Sequence, residues 1–318
     1  MSQREWSLID IPSLEGKVIV VTGGNGGLGY EAVNVFAKRG ATVILASRSV
    51  ERGQEAHAKI VKETPQADVE VMELDLGDLE SVHNFAHAFK QKYDRLDVLL
   101  NNAGVMTTPY GKTKDGFEQQ LGINHLGHFA LTGLLFDHIK QTPEARIVNI
   151  SSNAHKSGKV NFDNLMFEGG KGYTPMKAYG QSKLANLLFT YELQRKINDA
   201  GLTVKSVAAH PGIANTNLTR HIENKALFKV VGPLLGFMTQ DSFNGALPGI
   251  RAATDQTVIG GEYFGPSGFQ EFKGDPIVVL PITAAYDVMD AKTLWKKSEE
   301  LTGVEFPVSE QAKEHQPN

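Results

Sequence analysis

The sequence predicts an α/β chain, a single doubly wound parallel sheet with helices on both faces. Three observations carry this. Short apolar, β-branched runs alternate with helix-length amphipathic segments from Lys17 to Ala209. No hairpin signal separates one strand-like run from the next. The first run ends in a glycine-rich turn that opens directly into a helix. Strands joined by helical crossovers pair in parallel, and the crossovers cover both faces of the sheet.

In chain order, residues 1–16 read as a lead-in. Lys17 to Thr22 is a β-branched run typical of a buried parallel strand. Tyr30 to Arg39 follows with helical spacing, and Gly40 is a helix stop. Thr42 to Ala46 is the next strand, closing a βαβ unit. Further helices are predicted over Ser49–Glu63, Asp78–Lys92 and Ala178–Ile197, with one long helix within Thr113–Ile139. Further strands are predicted over Val69–Leu74, Asp97–Asn101, Ala145–Ser151 and Thr203–Ala209, with a seventh and last parallel strand near Gly261–Gly265. No repeat, low-complexity tract or linker divides the chain. One domain over 1–318 is expected, with 15–215 as its core, 213–240 as a substrate-loop region and 241–318 completing the fold.

Bulk composition narrows the function. Hydrophobic content of 41% and charged content of 21% are those of an ordinary globular protein. A net charge of −4 gives no reason to expect nucleic acid as partner. The chain has no cysteine, which excludes disulfides, thiolate catalysis and cysteine metal sites and fits a reducing compartment. No apolar stretch is long enough to span a bilayer, and the first 15 residues lack a signal-peptide core. No membrane anchor and a cytoplasmic location are therefore expected.

The turn Thr22-Gly23-Gly24-Asn25-Gly26-Gly27-Leu28-Gly29 carries the first functional signal. Gly23 permits a tight turn. Gly27 and Gly29 let the backbone approach a pyrophosphate and let the helix pack on the sheet. The phosphates then meet a helix N-terminus, where free N–H groups and the dipole favour anions. The end of the second strand addresses the adenosine ribose. An NAD site commonly places a carboxylate about 20 residues after the glycine turn. Ser47 stands there instead, followed by Arg48 and Ser49. Nothing at that point repels a 2′-phosphate, and the Arg48 guanidinium can clamp one. NADP(H) is expected over NAD(H).

The second signal is Tyr179-Gly180-Gln181-Ser182-Lys183. On a helix, Tyr179 and Lys183 share one face. An ammonium beside a phenol favours phenolate, so a tyrosine pKa below its usual value of about 10 is expected. Such a pair is a proton donor and acceptor usable near neutral pH.

Taken together the motifs resemble the short-chain dehydrogenase/reductase family and its Rossmann fold. The turn Thr22–Gly29 is similar to that family's cofactor motif. Asn101-Asn102-Ala103-Gly104 is similar to its N-N-A-G motif, and His210-Pro211-Gly212 to its turn at the nicotinamide. Asn124, Ser152, Tyr179 and Lys183 are similar to its catalytic tetrad. Ile147 to Ser152, and Ile123 to Phe129 around Asn124, resemble the retinol-dehydrogenase-like branch that includes WW-domain oxidoreductase, in the form of its soluble bacterial members.

The resemblance implies an NADP-dependent alcohol dehydrogenase or carbonyl reductase. It implies that Tyr179 moves the proton and that Lys183 tunes it and holds the nicotinamide ribose. Ser152, chosen over Ser151, would hold the substrate oxygen, and Asn124 would bind a relay water. Asp75 and Leu76 are implied at adenine, Asn102, Ala103 and Gly104 at the adenosine ribose, and Pro211, Gly212 and Thr216 at the nicotinamide end. A homodimer or homotetramer built on the helices near 114–139 and 178–198 is also implied. Two other functions stay open. One is carbon–carbon double-bond reduction, as in the similar protochlorophyllide reductases, whose substrate-side cysteine this chain lacks. The other is a nucleotide-binding sensor without turnover, against which the complete tetrad argues.

The substrate side is less specific. Residues 153–178 separate Ser152 from Tyr179 and bring apolar side chains, as do residues 213–240. Phe162, Met166, Phe167 and Phe237 are the candidate contacts to a small hydrophobic carbonyl or alcohol; local core under a loop is the competing reading. His83 and His87 stand four apart with no third ligand nearby, a solvated helix face rather than a metal site. His125 and His128 are expected in packing, and His210 in fixing the strand-end turn.

Overall fold

The structure, a computed structural model, describes residues 6–213 and 240–308. Among the described residues, eight strands form one sheet. They are β1 (Val18–Thr22), β2 (Thr42–Ser47), β3 (Asp68–Glu73), β4 (Val98–Asn101), β5 (Arg146–Ile150), β6 (Lys205–Ala209), β7 (Tyr263–Pro266) and β8 (Pro276–Val278). Their order is β3-β2-β1-β4-β5-β6-β7-β8, and every pairing is parallel except β7 with β8. The chain winds outward one way from β1 to β3, then returns to lay β4 on the other side of β1. That reversal opens a crevice at the carboxyl ends of β1 and β4.

The seven expected parallel strands are present; the antiparallel β8 is an addition. It is only three residues long and begins with Pro276, which has no N–H to give a ladder. So short an edge strand leaves no alternating pattern to read.

The side-chain period of two explains why β1 and β2 are apolar throughout. Ile19, Val21, Val43 and Leu45 face one core, formed with α1 (Gly27–Lys38), α2 (Val50–Glu63) and the later helix α6 (Ser242–Thr254). Val18, Val20, Ile44 and Ala46 face the other. There they meet α3 (Leu79–Lys92), α4 (Gly127–Gln141) and α5 (Pro175–Asp199). Each fully buried aliphatic side chain contributes about 1.5–3 kcal/mol, more than β-propensity differences. Two-sided burial therefore decides these strands. The lead-in belongs to the first core as well: Trp6, Ile11 and Leu14 are buried in it.

The long helix expected within 113–139 is interrupted. A single turn (Gln119–Leu121) leads into a wide π-turn (Gly122–Leu126), and only then does α4 run on. The buried Glu118 carboxylate starts the turn by accepting from the Gln120 and Leu121 amides (both 2.8 Å). Single-turn π-bulges cluster at functional sites, and this one holds Asn124.

The last helix, α7 (Val288–Thr302), lies across α5 and also touches α4. Trp295 on α7 sets its ring against Phe129 of α4 and Phe189 of α5, 5.2 and 5.8 Å between centroids. Phe306, just beyond α7, covers Phe129 and Phe136. On the helices named for a homodimer or homotetramer, α7 thus covers the stretch around Phe129 and Phe189. Among the described residues, no helix is long and apolar enough to cross a membrane.

Candidate active site

A cleft of about 390 Å³ opens at the crevice. Its floor is the glycine turn, with Thr22, Gly23, Asn25, Gly27 and Leu28 on its surface. Gly23 has φ +67, a conformation glycine tolerates, and an added Cβ would lie 3.1 Å from Ala103 Cα. Gly29 does not line the cleft. A Cβ there would stand 2.3 Å from the Gly23 carbonyl, so this glycine lets α1 close onto the turn. The helix begins at Gly27, not at Tyr30, and its first residues, Gly27 and Leu28, line the cleft.

One wall carries Ser47 and Arg48 from the end of β2, and Arg52 from the first turn of α2. Sequence reasoning missed Arg52. Its signal was Ser49, whose hydroxyl caps α2 by accepting from Arg52 N (3.3 Å) and so directs that turn at the strand end. Ser47 shapes the corner: its hydroxyl donates to Ser49 O (2.9 Å) and accepts from Ser49 N. Among the described residues, neither Arg48 nor Arg52 is paired with a carboxylate.

The opposite wall carries Asp75, Leu76, Asn102, Ala103 and Gly104. One Asp75 oxygen accepts from Gly77 N (2.9 Å), which fixes the carboxylate in a tight turn. The two loops at the crevice are cross-braced. The Asn102 and Ala103 amides both donate to the Thr22 hydroxyl (2.9 Å each), and Asn102 Nδ2 donates to Thr22 O (2.8 Å). Thr22 Oγ1 also lies 2.9 Å from Nε2 of His128, whose Nδ1 is 3.1 Å from the Asn124 carbonyl. Burial pushes the His128 pKa down to about 3, so the ring is neutral and serves as a brace.

The four candidate catalytic residues do not line the cleft themselves; they gather behind Gly104, which does. Tyr179 and Lys183 both lie on α5, with Lys183 Nζ 5.6 Å from the tyrosine ring centroid. The Ser152 hydroxyl interacts with the phenol and partly offsets the effect of burial on it. Ser152 Oγ accepts from Ala154 N (3.2 Å). The competing Ser151 hydroxyl donates to the Lys183 carbonyl (2.9 Å) and is occupied. Gly104 brings the backbone close to the same point: a Cβ there would lie 3.0 Å from Asn124 Oδ1 and 3.6 Å from Lys183 Nζ.

Asn124 is engaged on all sides. Its Oδ1 accepts from Val105 N (2.8 Å), and its Nδ2 donates to Val105 O (3.0 Å) and Ser182 Oγ (2.9 Å). The side chain pins the Gly104–Val105 backbone beside Lys183.

One expectation is corrected here. The phenol was to be lowered by its lysine, yet burial pushes Tyr179 up to about 12. Burial also pulls Lys183 down to about 8, and its ammonium donates to the Ile150 carbonyl (3.0 Å). Desolvation of both groups outweighs their attraction at this distance.

On the substrate side, Phe162 and Met166 pack on a third apolar cluster with Phe117, Leu165 and Tyr191. Met166 Sδ accepts from Glu118 N (3.4 Å). Phe167 is buried with its ring 5.5 Å from that of Tyr173. None of the three lines the cleft. Phe237 and Thr216 lie outside the described residues. Pro211, in the turn after β6, lines a small cavity with Leu28 and Asn102, and Gly212 follows it with φ +65. His83 and His87 lie on the exposed side of α3, and among the described residues no three histidine, aspartate or glutamate side chains gather as a metal site.

The match to known proteins agrees with this geometry. A family model described as short chain dehydrogenase matches residues 17–165. Retinol dehydrogenase 12 of Mus musculus is 39% identical over 295 residues, covering 92% of this chain and 88% of its own. Retinol dehydrogenase 13 of Homo sapiens is 39% identical over 300 residues, covering 93% and 87%. Among solved structures, a protein from Mycobacterium paratuberculosis is 40% identical with a TM-score of 0.77, over 95% of this chain and 99% of that one. With a glycine-floored cleft at the strand crossover and matches over nine-tenths of its length, the chain belongs to the short-chain dehydrogenase/reductase family of NAD(P)-binding oxidoreductases, in its retinol-dehydrogenase-like branch.

Proposed function

We propose that the chain is an NADP(H)-dependent alcohol dehydrogenase or carbonyl reductase for a small hydrophobic substrate. The observation that carries this is the grouping of Tyr179, Ser152 and Lys183, with Lys183 Nζ close to Gly104 on the wall of the glycine-floored cleft. The cleft suits a dinucleotide: Gly23, Gly26 and Gly27 line it without side chains, and the first turn of α1 offers free N–H groups. Arg48 and Arg52 suit a 2′-phosphate at its outer wall.

When bound, the nicotinamide supplies or takes the hydride. The chain supplies the rest. Tyr179 donates its phenolic proton to the substrate oxygen in reduction. Ser152 donates a hydrogen bond to the same oxygen as negative charge develops there. Lys183, charged below its pKa of about 8, stabilises the tyrosinate left behind. Asn124, which pins the Gly104–Val105 backbone beside Lys183, is the proposed place of the relay water. A phenol raised to about 12 keeps its proton at neutral pH and so stands ready as the donor in the reductive direction. The relatives' names point to retinoids as the first substrates to try.

The test is a screen of NADPH oxidation over retinaldehyde, short aldehydes, ketones and enones, with NADP reduction over the matching alcohols. Turnover of aldehydes or ketones supports the proposal. Turnover of enones alone assigns the chain to double-bond reduction. Cofactor binding without turnover of any class assigns it to sensing.

A further inference from the structure

The loop between β7 and β8 carries a feature that the cofactor cleft does not explain. Gln270 and Glu271 are consecutive non-glycine residues with φ +49 and +58. L-residues adopt that conformation rarely, and it persists only where the surroundings over-determine it. Here the surroundings are the two loops that frame the inner end of the site.

From one side comes the segment after Ser152. Asn153 Nδ2 donates to the Gln270 and Glu271 carbonyls (3.2 and 3.3 Å). Lys156 Nζ lies 3.2 Å from Glu271 Oε1. His155 Nδ1 stands 2.6 Å from the Ser152 carbonyl and so fixes the start of this segment. From the other side comes the turn after β6. Ile213 N donates to the Phe272 carbonyl (2.9 Å). Gly212 has φ +65, and a Cβ on it would stand 2.3 Å from that same oxygen. His210, fully buried, brings Nε2 to 3.0 Å from Glu271 Oε2, close but out of line for a linear hydrogen bond. The Gly212 amide donates to His210 Nδ1 (3.2 Å), which leaves the ring proton on Nε2, the nitrogen facing the carboxylate. The ring of Tyr263 lies against both histidines, 5.6 Å from His155 and 5.1 Å from His210.

One carboxylate thus bridges both loops, with one oxygen on each. We propose that Glu271 is a positioning residue for the reaction: it ties the segment that carries Ser152 to the turn His210-Pro211-Gly212, and so sets where the serine hydroxyl stands relative to the nicotinamide end of the cofactor. Glu271 touches no reacting atom in this account. The strained backbone fits the same role: in that conformation the Gln270 and Glu271 carbonyls meet Asn153 while the carboxylate turns between Lys156 and His210.

The proposal rests on the dehydrogenase reading for its effect on rate, but not for its effect on structure. The full chain is therefore compared as wild type, Glu271→Gln and Glu271→Ala by amide hydrogen exchange, NADPH fluorescence titration and steady-state turnover of retinaldehyde. Removing a contact to a charged group typically costs about tenfold or more. Glu271→Ala should speed exchange at the Gly212 and Ile213 amides by about that factor, with exchange in β1, β4 and β5 unchanged. Turnover should fall similarly while the NADPH Kd moves by less than about threefold. Glu271→Gln, which can still accept one hydrogen bond, should fall between. Unchanged exchange at Gly212 and Ile213 overturns the proposal, as does unchanged turnover with faster exchange. If retinaldehyde is not turned over even by wild type, the substrate reading fails and the exchange result alone decides the tie. If Glu271→Ala loses core protection as well, Lys156→Met, which removes only the exposed partner, is measured in its place. Protection at Gly212 and Ile213 should then drop with the core intact, and protection equal to wild type overturns the tie.

Discussion

Removing the Arg48 guanidinium tests the choice of cofactor. Arg48 is exposed at the mouth of the cleft, with Arg52 one helical turn further on the same wall. Since no described carboxylate pairs with either, both are available to a 2′-phosphate without breaking an existing ion pair. A hydrogen bond to a charged group contributes about 1.5–3 kcal/mol. At 1.4 kcal/mol per decade this is roughly 10- to 150-fold in affinity. Arg48→Ala should weaken NADPH by that factor and leave NADH nearly unchanged. Arg52→Ala should show a smaller loss of the same sign, and the double variant less than the product, because the two share one phosphate. Ser47→Asp keeps an acceptor for the Ser49 amide but adds charge beside the ribose, and should reverse the preference. Fluorescence titration of both reduced cofactors at two salt concentrations measures all of this, since an exposed phosphate contact weakens with salt. Wild type binding NADH as tightly as NADPH, or equal losses for both cofactors in Arg48→Ala, would refute the assignment.

Three further outcomes follow from the geometry. Lys183 has a folded pKa of about 8 against an ordinary 10.5, so the unfolded chain binds its proton more tightly. Keeping the lysine charged at neutral pH therefore costs stability, on the order of 3 kcal/mol, a cost relieved as pH rises from 8 towards 10.5. Lys183→Met should accordingly raise the denaturation midpoint at pH 7 while abolishing turnover; a lowered midpoint contradicts the burial argument. Reduction by wild type should fall as pH rises through about 8, where the ammonium discharges, and a rate still climbing at pH 9 speaks against its role. With α7 covering α4 and α5, sedimentation at micromolar concentration should show a monomer, and a dimer lost on Trp295→Ala would show instead that α7 builds an interface.

Much of this was legible in the sequence because the signals are local. The β-branched runs of β1 and β2 report burial on both faces, and the glycines after β1 report a backbone that must turn and pack closely. Ser47 and Arg48 follow from strand length. Other parts depend on long-range contacts that no local pattern carries. The break before α4 comes from Asn124 reaching Val105 and Ser182. The upward shift of Tyr179 is set by everything packed around α5, not by the lysine four residues on. The cover formed by α7 depends on Trp295 meeting Phe129 and Phe189, residues more than a hundred positions away. Glu271 matters through His210 and Lys156, which sequence spacing does not bring together.

The most direct test of the central claim, proton transfer by Tyr179 beside a bound nicotinamide, is turnover of Tyr179→Phe alongside its NADPH affinity. The ring still packs but has no proton to give. Loss of a general acid costs about 10²–10⁴-fold, so turnover should fall at least that far while the Kd for NADPH stays within a few-fold of wild type. Near-wild-type turnover in Tyr179→Phe would contradict the account.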